Sequence, residues 1–212
     1  MSLLEKKKEE ICRFGRKLWE RSYVASNDGN LSVRLEEDIY LITPTGVSKG
    51  ELTPEMILCV NGGGETLAPS DYRLSSEWRM HLECYRQRPD IGAVVHAHPV
   101  AATALACARR PLEAPFLGEF LMALGEVPVA PYGRTGTEEI PKAIAPLLAA
   151  HDGILLANHG ALTLGADVET AYYKMESLEH AARIFLALLP LGGGVPLSPR
   201  EAAALKPRKK DS

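Results

Sequence analysis

The alternation of hydrophobic and polar positions predicts a chain in which helices and strands are interleaved. Residues up to about position 22 place Ile11, Phe14 and Leu18 at the spacing of an amphipathic helix. Residues 31–35 alternate between apolar and polar side chains, as a half-buried strand does. By the same reasoning we predict further helices over 75–88, 99–108, 116–124, 138–150 and 167–189, and strands over 39–43, 56–60, 92–97, 127–132, 153–157 and 161–164.

Short turns between neighbouring strands indicate part of the sheet topology. The charged turn Glu36-Glu37-Asp38 separates the first two predicted strands, and Asn158-His159-Gly160 separates the last two. A connection this short can join only antiparallel strands. The pattern therefore predicts an α/β protein with a mixed sheet covered by helices, and not a doubly wound nucleotide-binding fold.

Length and composition predict one domain followed by a tail. The chain has 212 residues, 46% of them hydrophobic, which suits a single domain over residues 1–191. Three consecutive glycines at 192–194 set off a tail over 192–212. Within it, Ser198-Pro199-Arg200-Glu201 has the pattern of a capping box with proline at the first helical position, which predicts a short helix. The basic cluster at 206–210 is interpreted as a solvated tail.

Charge and hydropathy exclude several classes of partner. The net charge is −3 and the basic residues cluster only in the tail at 206–210, so we expect no nucleic-acid binding. No apolar stretch approaches the ~20 residues that cross a bilayer, and the N-terminus is too charged for a signal peptide. The four cysteines form no CxxC pair, so they are interpreted as small apolar residues. These features predict a soluble, reduced, cytoplasmic protein without membrane contact.

The strongest chemical feature is the pair His96 and His98 at the end of a predicted buried strand. Residues two apart in a strand project from the same face, so the two imidazoles converge. A buried imidazole without a polar partner costs on the order of 1–3 kcal/mol. A single histidine here would more often be a hydrogen-bonded core residue, whereas a pair at this spacing favours a metal.

His159 is the candidate third ligand, because it follows another apolar strand directly. Its neighbour Gly160 permits a tight turn that can aim the imidazole inward. Taken alone, His159 is better explained as part of a polar turn between two strands. Three imidazoles at the ends of adjacent strands suit zinc, cobalt or iron and leave a position open for a substrate oxygen.

Anion-binding features surround these histidines in the sequence. Ser75, Ser76 and Glu77 begin a predicted helix, where hydroxyl groups and backbone amides can hold a phosphate. The same residues also fit a plain helix cap with a carboxylate that complements the helix dipole. Two polar turns, 29–32 and 43–46, present backbone amides beside small polar side chains, although such turns are common on surfaces.

Five short segments with polar side chains follow one another along the chain. They are Gly29-Asn30-x-Ser32, Ile42-Thr43-Pro44-Thr45-Gly46, Ser75-Ser76-Glu77-x-x-x-His81, His96-x-His98 and Asn158-His159-Gly160. In this order they resemble the class II aldolase family, which includes sugar-phosphate aldolases, 4-epimerases and the non-catalytic adducin head domain. The resemblance runs from about residue 5 to residue 190 and is nearest to the fuculose-phosphate aldolase branch.

The resemblance implies a three-layer α/β/α domain with a mostly antiparallel central sheet. It also implies a homotetramer whose active sites lie at subunit interfaces. The implied Zn²⁺ ligands are His96, His98, His159 and Glu77, and Glu77 would also be the catalytic acid/base. The implied phosphate-binding residues are Gly29, Asn30, Thr45, Gly46, Ser75 and Ser76.

The activity implied by the resemblance is zinc-dependent cleavage of a ketose 1-phosphate to dihydroxyacetone phosphate and an aldehyde. One departure concerns the aldehyde side. The fuculose-phosphate enzymes carry a tyrosine from a neighbouring subunit in the segment that matches Pro115–Phe120, and this chain has none there. Glu119 could replace it or could be a plain surface residue. Alternatives on the same metal site are 4-epimerisation or dehydration of a sugar phosphate, and a non-catalytic adducin-like module remains a third reading.

Overall fold

A computed structural model of the chain describes residues 1–113 and 115–205. The helices are α1 (Leu3–Glu20), α2 (Trp78–Gln87), α3 (Val100–Cys107), α4 (Gly118–Ala123), α5 (Glu139–Leu148), α6 (Val168–Leu188) and α7 (Pro199–Leu205). The strands are β1 (Asn30–Glu36), β2 (Ile39–Ile42), β3 (Leu58–Asn61), β4 (Ala93–Ala97), β5 (Val129–Ala130), β6 (Gly153–Leu156) and β7 (Gly160–Gly165).

Within the described residues, the seven strands form one sheet in the order β3-β2-β1-β4-β7-β6-β5. Every neighbouring pair is antiparallel except β5 and β6, which are parallel. The mixed, mostly antiparallel sheet and the two predicted tight hairpins, β1–β2 and β6–β7, are therefore confirmed.

Helices cover both faces of the sheet and give the expected three layers. Successive residues of a strand point to opposite faces of the sheet, so they belong to different hydrophobic clusters. Val95 packs with α1, α3 and α6 on one face, whereas the preceding Val94 packs with α2 and α5 on the other. The polar residues at the ends of the strands line a site beside these hydrophobic clusters.

Two predicted strands differ from the observed ones. Residues 54–56 form a short 3₁₀ turn, so the strand predicted over 56–60 begins only at Leu58. The strand predicted over 127–132 is reduced to Val129 and Ala130. Pro128 and Pro131 flank that pair and lack the N–H groups that a longer ladder needs.

The predicted tail helix is present as α7, and the Ser198 and Glu201 side chains cap it reciprocally. The tail is attached to the rest of the chain, since the Leu197 N–H donates to the Pro115 carbonyl (3.0 Å) and α7 packs against α4. The predicted basic tail at 206–210 lies outside the described residues. Across the part of the chain that the structure describes, no helix is long and apolar enough to span a bilayer.

Candidate metal centre and anion cavity

His96 and His98 converge at the end of β4, as their spacing predicts. The His96 ring is fully buried, and its Nδ1 lies 2.9 Å from the Ala161 carbonyl of β7. Because a carbonyl only accepts, Nδ1 carries the proton and Nε2 is left with a free lone pair. The His98 Nε2 lies 3.1 Å from the His96 Nε2, so both rings present nitrogen to the same point.

His159 reaches that point from the turn between β6 and β7. The turn differs from the predicted one, which relied on Gly160, because the residue in the left-handed conformation is Asn158 (φ 55°). Gly160 is required for another reason: a Cβ there would lie 2.5 Å from the Ala97 carbonyl oxygen and 2.5 Å from the His98 ring. The glycine therefore permits the close approach of β7 to β4 beside the histidines.

Glu77 occupies the N-cap position of α2 and points at the histidines. Its Oε2 lies 3.3 Å from the His96 Nε2, and its Oε1 lies 3.2 Å from the His159 Nε2. The two preceding serines do not form the predicted helix cap, because the helix begins only at Trp78; the Ser75 hydroxyl instead accepts the Glu77 N–H (3.3 Å).

The spacing of these donor atoms fits a small divalent cation. The ring nitrogens of His96, His98 and His159 all lie within 4.8 Å of one another. Ligands placed about 2.05 Å from an ion at the corners of a tetrahedron are about 3.3 Å apart. Three pairs lie close to that edge length. The Nε2 atoms of His96 and His98 are 3.1 Å apart, and the two oxygens of Glu77 lie 3.2 Å from the His159 Nε2 (Oε1) and 3.3 Å from the His96 Nε2 (Oε2). Two orphaned buried atoms, Glu77 Oε1 and His159 Nδ1, also indicate an incomplete polar cluster.

Burial favours the neutral, metal-binding form of His98 and His159, whereas His96 behaves differently. Burial, reinforced by the charge of His96, lowers the pKa of His159 to about 4, and burial with both other histidines lowers that of His98 to about 4. Burial would also lower the pKa of His96, but the Glu77 carboxylate outweighs it and raises that pKa. Burial opposes ionisation of Glu77, yet the charges of His96 and His159 and a hydrogen bond from Asn30 hold its pKa well below the usual range.

A cavity of about 290 Å³ opens beside the histidines and Glu77. The structure brings to its wall most of the residues predicted to hold phosphate: Gly29, Asn30, Thr45, Ser75 and Ser76. Gly46 lines a neighbouring surface depression instead. The Asn30 carboxamide is engaged with Glu77 and His81, so its predicted contact with phosphate would use its remaining N–H.

Three residues that line this cavity were missed by the sequence analysis. Asn27 and Asp28 precede the Gly29-Asn30 turn, and the Asp28 Oδ2 lies 3.5 Å from the His98 Nδ1. Thr135 comes from the loop between β5 and α5, where Gly136 lies close to Ser76. The polar run Arg134-Thr135-Gly136-Thr137 was a signal that could have indicated this loop.

Lys49 was also missed, although it is almost completely buried behind the same loops. Its ammonium group donates to the carbonyls of Asn27 (2.9 Å) and Val47 (2.7 Å) and so joins the two turns that flank the cavity. Burial lowers the pKa of Lys49 to about 8, with the Asp28 carboxylate opposing the shift.

A mixed sheet flanked by helices, with three histidines and a carboxylate converging beside a hydroxyl-lined cavity, defines a protein of the class II aldolase type. The chain belongs to this family: the sequence profile described as Class II Aldolase and Adducin N-terminal domain matches residues 9–186.

The chain is similar to enzymes with two different names. It is 36% identical over 185 residues to the 3-oxo-tetronate 4-phosphate decarboxylase of Escherichia coli strain K12, covering 85% of this chain and 86% of that one. It is 35% identical over 180 residues to the L-fuculose phosphate aldolase of the same strain, covering 84% and 81%. A solved L-fuculose 1-phosphate aldolase superposes with a TM-score of 0.86 at 34% identity and covers 94% of each chain. The family resemblance is confirmed, and family members of both kinds are lyases or decarboxylases.

Proposed function

We propose that this protein is a metal-dependent lyase that releases dihydroxyacetone phosphate from a phosphorylated sugar, with an L-fuculose 1-phosphate-like ketose as the substrate. The single observation that carries the proposal is the convergence of Glu77 and the three histidine nitrogens beside the hydroxyl-lined cavity. The names of the relatives support the substrate class, because both describe enzymes that act on a sugar phosphate or its oxidised form.

His96, His98, His159 and Glu77 would hold the ion, for which zinc is our proposal because neutral imidazoles and a carboxylate suit it. When bound, a divalent ion would act as a Lewis acid that stabilises negative charge on the substrate carbonyl oxygen. The serine pair and the adjoining turns would bind the phosphate through hydroxyl and amide donors, as the start of a helix does.

Glu77 would move the proton at the reacting carbon. Breaking the carbon–carbon bond beside a ketone leaves its electron pair on the ketone fragment as an enediolate, and that carbon must then gain a proton. Glu77 is buried, negatively charged and beside the cavity, so it is the group placed to carry this proton. A positioned acid/base of this kind contributes about 10²–10⁴-fold to a rate.

A decarboxylase is the second candidate, and one chemical relation links it to the first. Loss of CO₂ from 3-oxo-tetronate 4-phosphate leaves its electron pair on the neighbouring carbon, which gives the same enediolate of dihydroxyacetone phosphate. An aldolase must remove the proton of the hydroxyl group that becomes the aldehyde oxygen, whereas a decarboxylase needs no group for this task. The lack of a tyrosine in Pro115–Phe120 fits the decarboxylase. Against it, a substrate carboxylate would meet Asp28, and among the described residues no lysine or arginine lines the cavity.

The decisive experiment is a substrate panel assayed for release of dihydroxyacetone phosphate, with and without chelator. Ketose 1-phosphates and 3-oxo-tetronate 4-phosphate are presented to the zinc-loaded protein, and the second product is identified as aldehyde or CO₂. An aldehyde supports the aldolase, and CO₂ supports the second candidate. No turnover of any member, with zinc bound, would contradict both.

We further propose a homotetramer with the sites at subunit interfaces. Two apolar side chains support this proposal: Val100, which is 69% exposed at the start of α3 directly after the metal-binding strand, and Met122, which is 50% exposed on α4. Light scattering during gel filtration tests it, and a monomeric mass with full activity would overturn it.

A further inference from the structure

Four buried polar side chains and the partly buried Glu77 form a continuous hydrogen-bonded chain that ends at the Glu77 carboxylate. The Tyr85 hydroxyl lies 2.8 Å from the Ser32 Oγ, and Ser32 lies 2.6 Å from the His81 Nδ1. The other ring nitrogen of His81, Nε2, is hydrogen-bonded to the Asn30 Oδ1. The Asn30 Nδ2 then lies 2.8 Å from the Glu77 Oε2. We refer to these five residues as the buried relay.

The relay is built from two regular elements whose repeats match. Glu77, His81 and Tyr85 are spaced four apart along α2, which is about 6 Å per step. Asn30 and Ser32 are two apart on one face of β1, which is about 6.6 Å per step. Because the steps are nearly equal, each strand side chain fits between two successive helix side chains.

The direction of every proton in the relay follows from Glu77. An ionised carboxylate can only accept, so the Asn30 amide nitrogen faces it and the amide oxygen faces His81. The His81 Nε2 must therefore carry a proton, and since burial lowers the pKa of His81 to about 3, its Nδ1 is a bare acceptor. Ser32 donates to that nitrogen and accepts from the Tyr85 hydroxyl, whose pKa burial raises. All four donors point toward the carboxylate.

We propose that Ser32, His81 and Tyr85 are positioning residues that act through Asn30 to fix the orientation of Glu77 in the reaction. The relay occupies Oε2 as a permanent acceptor, which leaves Oε1 as the oxygen that exchanges a proton with substrate. Oε1 accepts no hydrogen bond from the described residues, but it is buried and lies 3.2 Å from the His159 Nε2, so Glu77 must move away from the histidines before Oε1 can meet substrate. The inference rests on the proposed acid/base role of Glu77.

The competing explanation is that the network only satisfies buried polar groups. Buried hydroxyls and imidazoles need partners whatever they do, and removing one partner costs stability by itself. A purely structural network predicts that relay variants lose stability but turn over normally. A positioning network predicts a loss of turnover beyond that of buried-hydroxyl variants elsewhere in the fold.

The test uses three relay variants and two matched controls in the cobalt- or zinc-loaded protein. Ser32→Ala and Tyr85→Phe each remove one relay hydroxyl, and His81→Leu interrupts the chain. Tyr40→Phe is the control for Tyr85→Phe, because Tyr40 stacks on Tyr85 (4.9 Å between ring centroids) and has no part in the relay. Thr163→Val is the control for Ser32→Ala, since the Thr163 hydroxyl is also buried but donates to the Ala171 carbonyl.

Turnover is read as kcat and KM for exchange of the dihydroxyacetone phosphate proton with deuterium oxide, beside metal content and Tm. We expect His81→Leu to lower kcat by about 10- to 100-fold with metal retained, because a hydrogen bond to a charged group contributes on that scale. Ser32→Ala and Tyr85→Phe should lower it progressively less, and KM should change little. His81→Gln, which keeps one donor and one acceptor, should restore part of the loss.

Two outcomes overturn the proposal. In one, relay and control variants lose Tm equally while kcat for exchange is unchanged. The other outcome concerns a wild-type protein that catalyses no exchange. That result contradicts the proposed function, and the relay is then tested by the visible absorption of the cobalt-loaded protein, which reports the ligand geometry. His81→Leu should then shift the visible bands where Tyr40→Phe does not, and identical spectra would reject the relay as well.

Discussion

Asn30 on β1 lies directly opposite His96 on β4 in the antiparallel register. The two side chains therefore share one face of the sheet, and Glu77 contacts both, since its Oε2 accepts from the Asn30 Nδ2 (2.8 Å) and lies 3.3 Å from the His96 Nε2. A carboxylate at the start of a helix is thus held by two neighbouring strands. This arrangement connects the candidate metal centre to the residues behind it.

Glu77→Gln should retain metal better than His96→Ala yet lose most of its turnover. Glutamine keeps the size and one oxygen ligand but cannot carry the proton, so kcat should fall by about 10²–10⁴-fold. Metal content by atomic emission and kcat on the active substrate check this. Glu138→Gln is the control, because Glu138 is exposed and pairs only with Arg79 in the described structure. A fully active Glu77→Gln protein would show that the acid/base is another group.

Removal of the metal should abolish activity and lower Tm together. A ligand that binds only the native state stabilises it by about 2.7 kcal/mol at 100 times its Kd, and chelation removes that contribution. Activity and Tm should both return with added zinc or cobalt. His96→Ala should not bind the ion stoichiometrically, whereas His151→Ala should, because His151 lies outside the cluster and bonds to the Glu126 carbonyl. A reconstituted protein without stoichiometric metal would contradict the enzyme hypothesis.

Gly160→Ala should disrupt the metal centre without touching a ligand. The new Cβ would lie 2.5 Å from the Ala97 carbonyl oxygen, a backbone atom that can move only with β4 and its histidines. We expect metal affinity and Tm to fall clearly more than in Gly125→Ala. Gly125 has a positive φ of 69° and open space around its Cβ, so alanine there adds only backbone strain of about 1 kcal/mol. Equal effects in the two variants would show that the β4–β7 approach does not position the site.

The sequence was sufficient to predict the long elements and the convergence of three histidines, but not what connects them. The long helix α6 and its Asp167 cap follow from local pattern alone. His96, His98 and His159 are recognisable because each ends an apolar strand. The contact between Glu77 and Asn30 joins residues 47 positions apart, and it depends on how α2 lies across β1.

The missed residues share one property: the local sequence pattern assigns each of them to an ordinary surface turn or a solvated charged stretch. Thr135 sits in an ordinary polar turn, and only the packing of its loop on Ser76 brings it to the cavity. Lys49 belongs to a short charged stretch that favours solvent, yet its ammonium group donates to the nearby Val47 carbonyl and to the carbonyl of Asn27, which lies 22 residues earlier. Such placements depend on tertiary structure and have no periodic signal.

Lys49 should make stability depend on pH in a way that Lys49→Met removes. Its pKa is about 8 in the folded chain and 10.5 when exposed, so between those values the unfolded state binds more protons. Stability relative to Lys49→Met should therefore rise with pH across this window, by about 1.6 kcal/mol between pH 8 and pH 9.5. Urea unfolding of both proteins at several pH values measures the difference. A constant difference between the two curves would mean that the Lys49 ammonium keeps its ordinary pKa despite its burial.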